Sequence, residues 1–315
     1  MKKIVSILLA TLMLLSSAVA LGEAQYTVGV IQLVTHDALD AATQGFIDAL
    51  NAEMGEGVVE IDVQNAAGDS NTCATMANAF VADEVDLILA NATPALQAAT
   101  AATGDIPVLG TSITEYGVAL GIEDFNGTVG GNVSGTSDLA PLDQQAAMIV
   151  ELFPEAKNVG LVYCSAEPNS QYQVDTVKAL LEGMGLTATL YPFSDSNDAA
   201  AVTQNACDAN DVIYVPTDNV VAANTGIFDN ICQPAGIPVV AGEAGTCAGC
   251  GVATLSISYY DLGVTTGKMA AKILKGEADI ATMPIAYAEN FTPQYNAAIC
   301  EALGVTVPAD YIALP

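Results

Sequence analysis

The 315-residue sequence has no arginine and no tryptophan, one histidine, and seven lysines against 36 Asp and Glu, for a formal net charge of −29. Without Arg, no bidentate guanidinium clamp can hold a carboxylate or phosphate. A single His argues against a multi-His metal site or a His-rich catalytic centre. So few cations exclude nucleic acid and anionic membrane surfaces as partners, since both need clustered Lys or Arg. Long apolar runs are also scarce. The one at Ile4 to Leu15 is too short to span a bilayer, so the mature chain is expected to be soluble. What is present is apolar: 52% of residues are hydrophobic and only 14% charged, which separates this chain from disordered acidic tails. Its length supports two core-bearing domains.

Residues 1–24 read as a secretory signal peptide. Lys2 and Lys3 give the positive start, and Ile4 to Leu15 the apolar stretch. Ser16-Ser17-Ala18-Val19-Ala20 gives a small-residue cleavage site, with Ala24 as a second candidate. No Cys lies near the cleavage site to take a lipid, so a periplasmic or secreted location is expected. Seven cysteines is an odd count, so at least one is unpaired or bonds another chain. Only Cys247-Ala-Gly-Cys250 is a close pair. It reads as a local disulfide or as free thiols of a reducing habitat, and no further ligands at zinc spacing accompany it. No metal or cofactor is expected.

Strands and helices alternate. Tyr26 to Val34, Val58 to Val63, Val85 to Ala90 and Ile106 to Gly110 read as strands. Between them, Asp37 to Met54 puts Leu39, Ala42, Phe46 and Leu50 on one helical face. Ser70 can cap a second helix, and Thr93-Pro94 opens a third. The pattern then repeats: strands at Val159 to Tyr163, Thr187 to Tyr191, Val212 to Val215 and Ile237 to Ala241; helices at Ser170 to Met184, Ala199 to Asp208 and Val220 to Ala235. Val28-Gly29-Val30-Ile31 resembles Val159-Gly160-Leu161-Val162, and Ile106-Pro107-Val108 resembles Ile237-Pro238-Val239, both at an offset of 131 residues. Two similar α/β lobes with parallel, helix-covered sheets follow. Gly127 to Asp138 reads as a crossing between them. The chain returns through a strand at Thr254 to Ser258 and a helix at Tyr259 to Leu274. A further crossing near Pro284 to Asn290 precedes a helix from Pro293 to Leu303.

Ligands of open parallel sheets bind beyond the carboxyl ends of the strands. The polar residues there include His36, Thr93, Ser112, Ser165, Asn169, Ser170, Thr217, Asp218, Asn219 and Glu243. Thr93, Ser112, Ser165 and Ser170, with helix N-termini, can hold a carboxylate without Arg. Asp218 and Glu243 can accept from an ammonium; Glu243 is expected to do so because Ala and Gly, not a helix pattern, follow it. For any single Ser or Thr, helix capping is the competing role. His36 is either a surface cap or a pocket residue, and Tyr116, Tyr172, Tyr259 and Tyr260 either stack on an aromatic ligand or join the core. No enzyme is expected. There is no nucleophile elbow, and the Ser165 loop lacks the flanking glycines a strained elbow needs. A carboxylate-only glycosidase needs an aromatic groove that a Trp-free chain is poorly equipped to build.

Several ordered segments carry a family resemblance: Gly29-Val30-Ile31-Gln32 with His36-Asp37-Ala38-Leu39-Asp40, Ala92-Thr93-Pro94-Ala95, Gly131 to Asp138, Tyr214 to Asn219, Ala241-Gly242-Glu243, and Tyr259 to Gly263 with Thr266 to Ala270. The sequence resembles the ABC-transporter substrate-binding proteins of the tryptophan/tyrosine type. That resemblance implies the type I periplasmic-binding-protein fold, two Rossmann-like α/β lobes joined by three crossings. The N-terminal lobe is expected to take 25–135 plus 256–286, and the C-terminal lobe 136–255 plus 287–315. It implies hinge closure on a small zwitterionic ligand, an amino acid and often an aromatic one, and delivery to an ABC permease in the membrane. It also places Asp138 among the site residues. A monomer is expected, because closure needs both lobes free. The alternatives are a sugar- or nucleoside-binding protein of the same fold, or a sensory protein that presents its ligand to a receptor. Two departures from the usual pattern are Glu115-Tyr116, in place of an Asp-Pro, and the Cys pair between Gly245 and Gly251.

Overall fold

The strand–helix alternation is realised as two sheets in a computed structural model that describes residues 24–315. The expected signal peptide, apart from Ala24, lies outside the described residues. The first half forms β1 (Tyr26–Gln32), α1 (Asp37–Met54), β2 (Val59–Asn65), α2 (Ser70–Ala82), β3 (Leu87–Asn91), α3 (Thr93–Ala102), β4 (Val108–Ile113), α4 (Tyr116–Leu120) and β5 (Val133–Ser137). The second half forms α5 (Leu142–Leu152), β6 (Asn158–Cys164), α6 (Pro168–Gly183), β7 (Thr187–Phe193), α7 (Ser196–Ala209), β8 (Val212–Val215), α8 (Asn219–Ala223), α9 (Thr225–Ala235), β9 (Val239–Ala241), α10 (Ala244–Cys250) and β10 (Ala253–Ser256). The return consists of α11 (Tyr259–Leu274), β11 (Ala286–Tyr287), β12 (Thr292–Tyr295), α12 (Ala297–Leu303) and β13 (Ile312–Ala313).

The first sheet runs β11-β5-β4-β3-β1-β2 and is wholly parallel. The second runs β13-β12-β10-β9-β8-β6-β7, with β12 antiparallel to β10. The order of β5 to β2 in one sheet matches that of β10 to β7 in the other, so the internal resemblance of the sequence is also one of topology. The chain passes between the sheets three times: after β5, between β10 and α11, and between β11 and β12. Among the described residues no helix is long and apolar enough to cross a membrane.

Each lobe buries apolar strands under helices on both faces. Leu39, Ala42, Phe46 and Leu50 of α1 are fully buried, as their spacing predicts. Burying Phe46 alone stabilises by about 2–3 kcal/mol. Helix α11 lies against α1 at backbone-contact distance. A Cβ on Gly263 would collide with the Ala42 carbonyl, and one on Gly45 with the Tyr260 carbonyl.

Four local expectations are corrected. Asp69, not Ser70, caps α2, taking the N–H groups of Asn71 and Thr72. The helix expected over 220–235 breaks at Asn224, whose backbone is not helical, into α8 and α9. Pro293 opens no helix; it lies in β12 opposite Leu255, and α12 begins at Ala297 under an Asn296 cap. Glu243 is followed directly by a helix, α10, whose Gly and Ala content hides it from periodicity. Helices α4 and α5 carry no expectation from the sequence.

Candidate functional site

In each sheet the strand order reverses at one point, between β1 and β3 and between β6 and β8. Loops leaving adjacent strands there diverge to opposite faces and leave a crevice. On the first lobe this places His36 at the start of α1 and Thr93 at the start of α3. Helix α3 has no side-chain cap, because Ala92 precedes it; Ala92 also sits at φ 91°, a conformation costly for any residue with a Cβ. Ser112, at φ 56°, lies where the β4–β5 register shifts. Its hydroxyl is buried and has no partner. Two strained residues therefore stand at the ends of neighbouring strands, one directly before an uncapped helix N-terminus and the other carrying an unpartnered buried hydroxyl.

The second lobe contributes buried acids. Asp218 caps α8, accepting from the Val221 N–H at 3.0 Å and from the Cys164 N–H at 2.7 Å. Glu167 accepts from the Asn219 side-chain amide at 2.7 Å, from Asn169 at 3.0 Å and from the Val220 N–H at 3.2 Å. Burial pushes the Glu167 carboxyl up to about 7, and the Asp218 charge adds to this. Burial likewise raises Asp218 above its ordinary value. Glu243 caps α10 through the N–H groups of Gly245 and Thr246. Asn169 turns its amide nitrogen to the Thr217 carbonyl at 3.2 Å and leaves its buried Oδ1 unpartnered. Buried Ser170 lies 3.3 Å from the Asn169 amide nitrogen.

Asp138 is the first residue of the crossing that leaves β5, and it is 3% exposed. Its Oδ2 accepts from the Tyr259 hydroxyl at 2.9 Å, tying the first crossing to the start of α11, while Oδ1 is buried without a partner. Burial pushes its carboxyl up to about 6, against the pull of the Tyr259 and Thr114 hydroxyls. The two ion pairs among the described residues, Lys178–Glu182 and Lys275–Glu53, lie on partly exposed helix surfaces and touch none of these acids. The second lobe and the first crossing thus carry buried acids with no ion-pair partner, and the first lobe carries an unpartnered hydroxyl and an uncapped helix N-terminus.

The two lobes meet over this site. His36 Nε2 lies 3.2 Å from Asn219 Oδ1, α4 packs against α6, and α10 against α1. A cavity of about 350 Å³ on one side of the His36–Asn219 contact is lined by Thr35, His36 and Asp37 of one lobe and Glu243, Gly245 and Ala248 of the other. One of about 200 Å³ lies between Leu33, Val34 and Gly68 and Glu167, Ser196 and Asn219.

Of the residues expected at the site, His36, Thr93, Ser112, Asp138, Asn169, Ser170, Thr217, Asp218, Asn219 and Glu243 stand at or just beyond strand ends, and of these His36, Asn219 and Glu243 line the two cavities between the lobes. Ser165 is exposed and gives its hydroxyl to the Phe193 carbonyl. The oxygens of Asp218 and Glu243 expected to meet an ammonium are engaged with backbone N–H groups of α8, α10 and β6. Sequence reasoning misses Glu167, a buried acid at the centre of the second lobe's network; its one signal is its place directly before the Pro168 that opens α6. Tyr116 is 1% exposed and packs in the core beneath the sheet, its hydroxyl on the Thr136 carbonyl, so it is not open to a ligand. Cys247 and Cys250 are both free thiols in α10, with the Cys250 thiol turned to the Thr246 carbonyl.

Comparison with known proteins gives a consistent picture. A family model described as ABC transporter substrate binding protein matches residues 27–315. A tyrosine-binding protein of Clostridioides difficile is 35% identical over 264 residues, 83% of this chain and 76% of the relative. The crystal structure of an ABC domain in complex with L-Trp from Streptococcus pneumonia superposes with a TM-score of 0.88 at 33% identity, covering 92% of this chain and 100% of that one. The ligand-free, open structure of a substrate binding protein with adhesive properties from Clostridium difficile superposes with a TM-score of 0.70 at 37% identity, covering 92% and 99%.

Proposed function

The chain belongs to the ABC transporter substrate binding protein family, and from that premise we propose that it captures a zwitterionic amino acid between its lobes and passes it to an ABC permease in the membrane. The observation that carries the ligand class is Asp138. A buried carboxylate with one free oxygen and no cationic neighbour is costly unless a ligand brings the positive charge. An α-ammonium does so, donating to Asp138 Oδ1 and to the free Oδ1 of Asn169. The carboxylate of the same ligand takes the Ser112 hydroxyl and the uncapped N-terminus of α3 at Thr93. Asp218, Glu243 and Glu167 act one step back, holding α8, α10 and the Asn169–Asn219 pair in place, with Ser170 and Thr217 supporting Asn169.

Closure is the mechanism. Lobes taken as 25–135 plus 256–286 and 136–255 plus 287–315 turn on the three crossings, and His36 meets Asn219 when they shut. The higher TM-score against the L-Trp complex than against the open, ligand-free relative supports a shut arrangement here. A ligand drives closure only by binding the shut form better than the open one. The ligands named for the relatives, L-Trp and tyrosine, make aromatic amino acids the first candidates. We take the chain to act as an exported monomer that binds and releases without turnover. A thermal-shift screen over amino acids, purines and sugars tests the class, because a ligand bound only by the folded state raises its melting point. A response to a free amino acid but not to its amide or N-acetyl derivative is expected. A response confined to sugars or nucleosides removes the proposal.

A further inference from the structure

The close cysteine pair of the sequence is not where two thiols meet. Cys247 and Cys250 share one short helix, and the thiols of Cys164, Cys250 and Cys300 each turn to a backbone carbonyl, of Ser194, Thr246 and Val252. Cys207 of α7 and Cys232 of α9 instead bring their sulfurs to 3.5 Å across the interface between the two helices. Both sit in the apolar cluster on one face of the second sheet, beside Phe193, Phe228 and Val215. We propose that Cys207 and Cys232 form the redox-active pair of this protein, closing to a disulfide that clips α7 to α9 once the chain reaches an oxidising exterior.

A disulfide needs its sulfurs at about 2.05 Å, so the thiols must close about 1.5 Å, a side-chain adjustment within packed helices. The step is thiol–disulfide exchange with an external disulfide oxidant such as oxidised glutathione. Cys207 loses its proton and attacks one oxidant sulfur, expelling one thiol and forming a mixed disulfide. Cys232 then loses its proton, attacks the Cys207 sulfur and expels the second thiol; two electrons pass to the oxidant. Cys207 is the entry point, being 6% exposed against 1% for Cys232. Its hydrogen bond with Cys232 holds its thiol below the ordinary value. The link ties the last turn of α9 to α7, the helix packed against β6 and β7.

The test oxidises the purified full chain with oxidised glutathione, unfolds it, alkylates the free thiols and weighs it. Digestion must use a protease that cuts after acidic residues, because no Lys lies between Lys178 and Lys268. The expected result is two fewer alkylated thiols than the seven of the reduced chain, with a cross-linked peptide pair holding Cys207 and Cys232. The oxidised form should melt about 5 °C or more above the reduced form, and this difference should vanish in Cys207→Ser and in Cys232→Ser. Alkylation of all seven thiols, or a link through Cys247 and Cys250, overturns the proposal. Amino-acid binding is measured alongside, so loss of the ligand reading is recognised separately.

Discussion

Replacing Asp138 by Asn keeps the shape of the side chain and its contact with Tyr259 but removes the charge. Asp138 is held at about 6 in the folded chain against an ordinary 3.8. A folded value above the unfolded one means that ionising Asp138 costs stability. The cost is fully present above about pH 6 and disappears below the unfolded value. A rise from 3.8 to about 6 corresponds to a cost of about 3 kcal/mol. The ligand-free Asp138→Asn variant should therefore be the more stable protein at about pH 7.5, and the advantage should fade towards pH 4. Binding should move the other way. An ammonium deprived of a buried carboxylate loses about 2–5 kcal/mol, a weakening of roughly 30-fold or more. Wild-type affinity should itself fall about tenfold from about pH 7.5 to about pH 5, as the ligand must expel a proton from Asp138, and the variant should lose that component. Calorimetry with L-tryptophan and L-tyrosine, paired with thermal melts across pH, reads both effects. A variant that binds as the wild type does, or that is less stable at neutral pH, refutes the assignment of Asp138 to the ammonium.

The other residues separate support from contact. Ser112→Gly should relieve the φ of 56° and stabilise the free protein by about 0.5–1 kcal/mol while weakening binding about tenfold; denaturant unfolding and calorimetry on the same preparation check the pair. Glu243→Ala should cost about 1–2 kcal/mol of stability through the lost α10 cap and leave affinity within a few-fold; a large affinity loss at unchanged stability would restore the direct role read from sequence. His36→Ala or Asn219→Ala should remove the contact between lobes, giving a larger ligand-bound radius in solution scattering and about fivefold weaker binding. Identical scattering profiles for wild type and variants would remove this contact from closure.

The sequence discloses the strand ends, and so the neighbourhood of the site. Apolar strands such as Leu87–Asn91 are hard to mistake, and Thr93-Pro94 marks a helix start by chemistry alone. It discloses less about the division of labour among acids. Whether Asp218 meets a ligand or a helix N–H depends on α8 and on the Cys164 N–H, which come from strands set side by side only in the fold. The helix after Glu243 is missed from sequence because Ala244-Gly245-Thr246-Cys247-Ala248-Gly249-Cys250 has no apolar period, and it exists through packing against the sheet and α9. Cys207 and Cys232 are 25 residues apart, and only the packing of α7 on α9 brings them together.

The seating of α11 on α1 also governs the order in which the chain can assemble. The first lobe is finished by residues that emerge late: α11 covers Phe46 and Leu50, and β11 pairs Ala286 with Thr136, far back in the sequence. Contacts so distant in sequence are slow to form, because a large loop must close before they contribute. A nascent chain halted after Ser256 would hold β6 to β10 of the second sheet, but a first lobe with α1 uncovered. For a protein destined to leave the cytoplasm this delay is useful. The first lobe stays incomplete until the return segment has been made, and the two halves lock only when synthesis is almost complete.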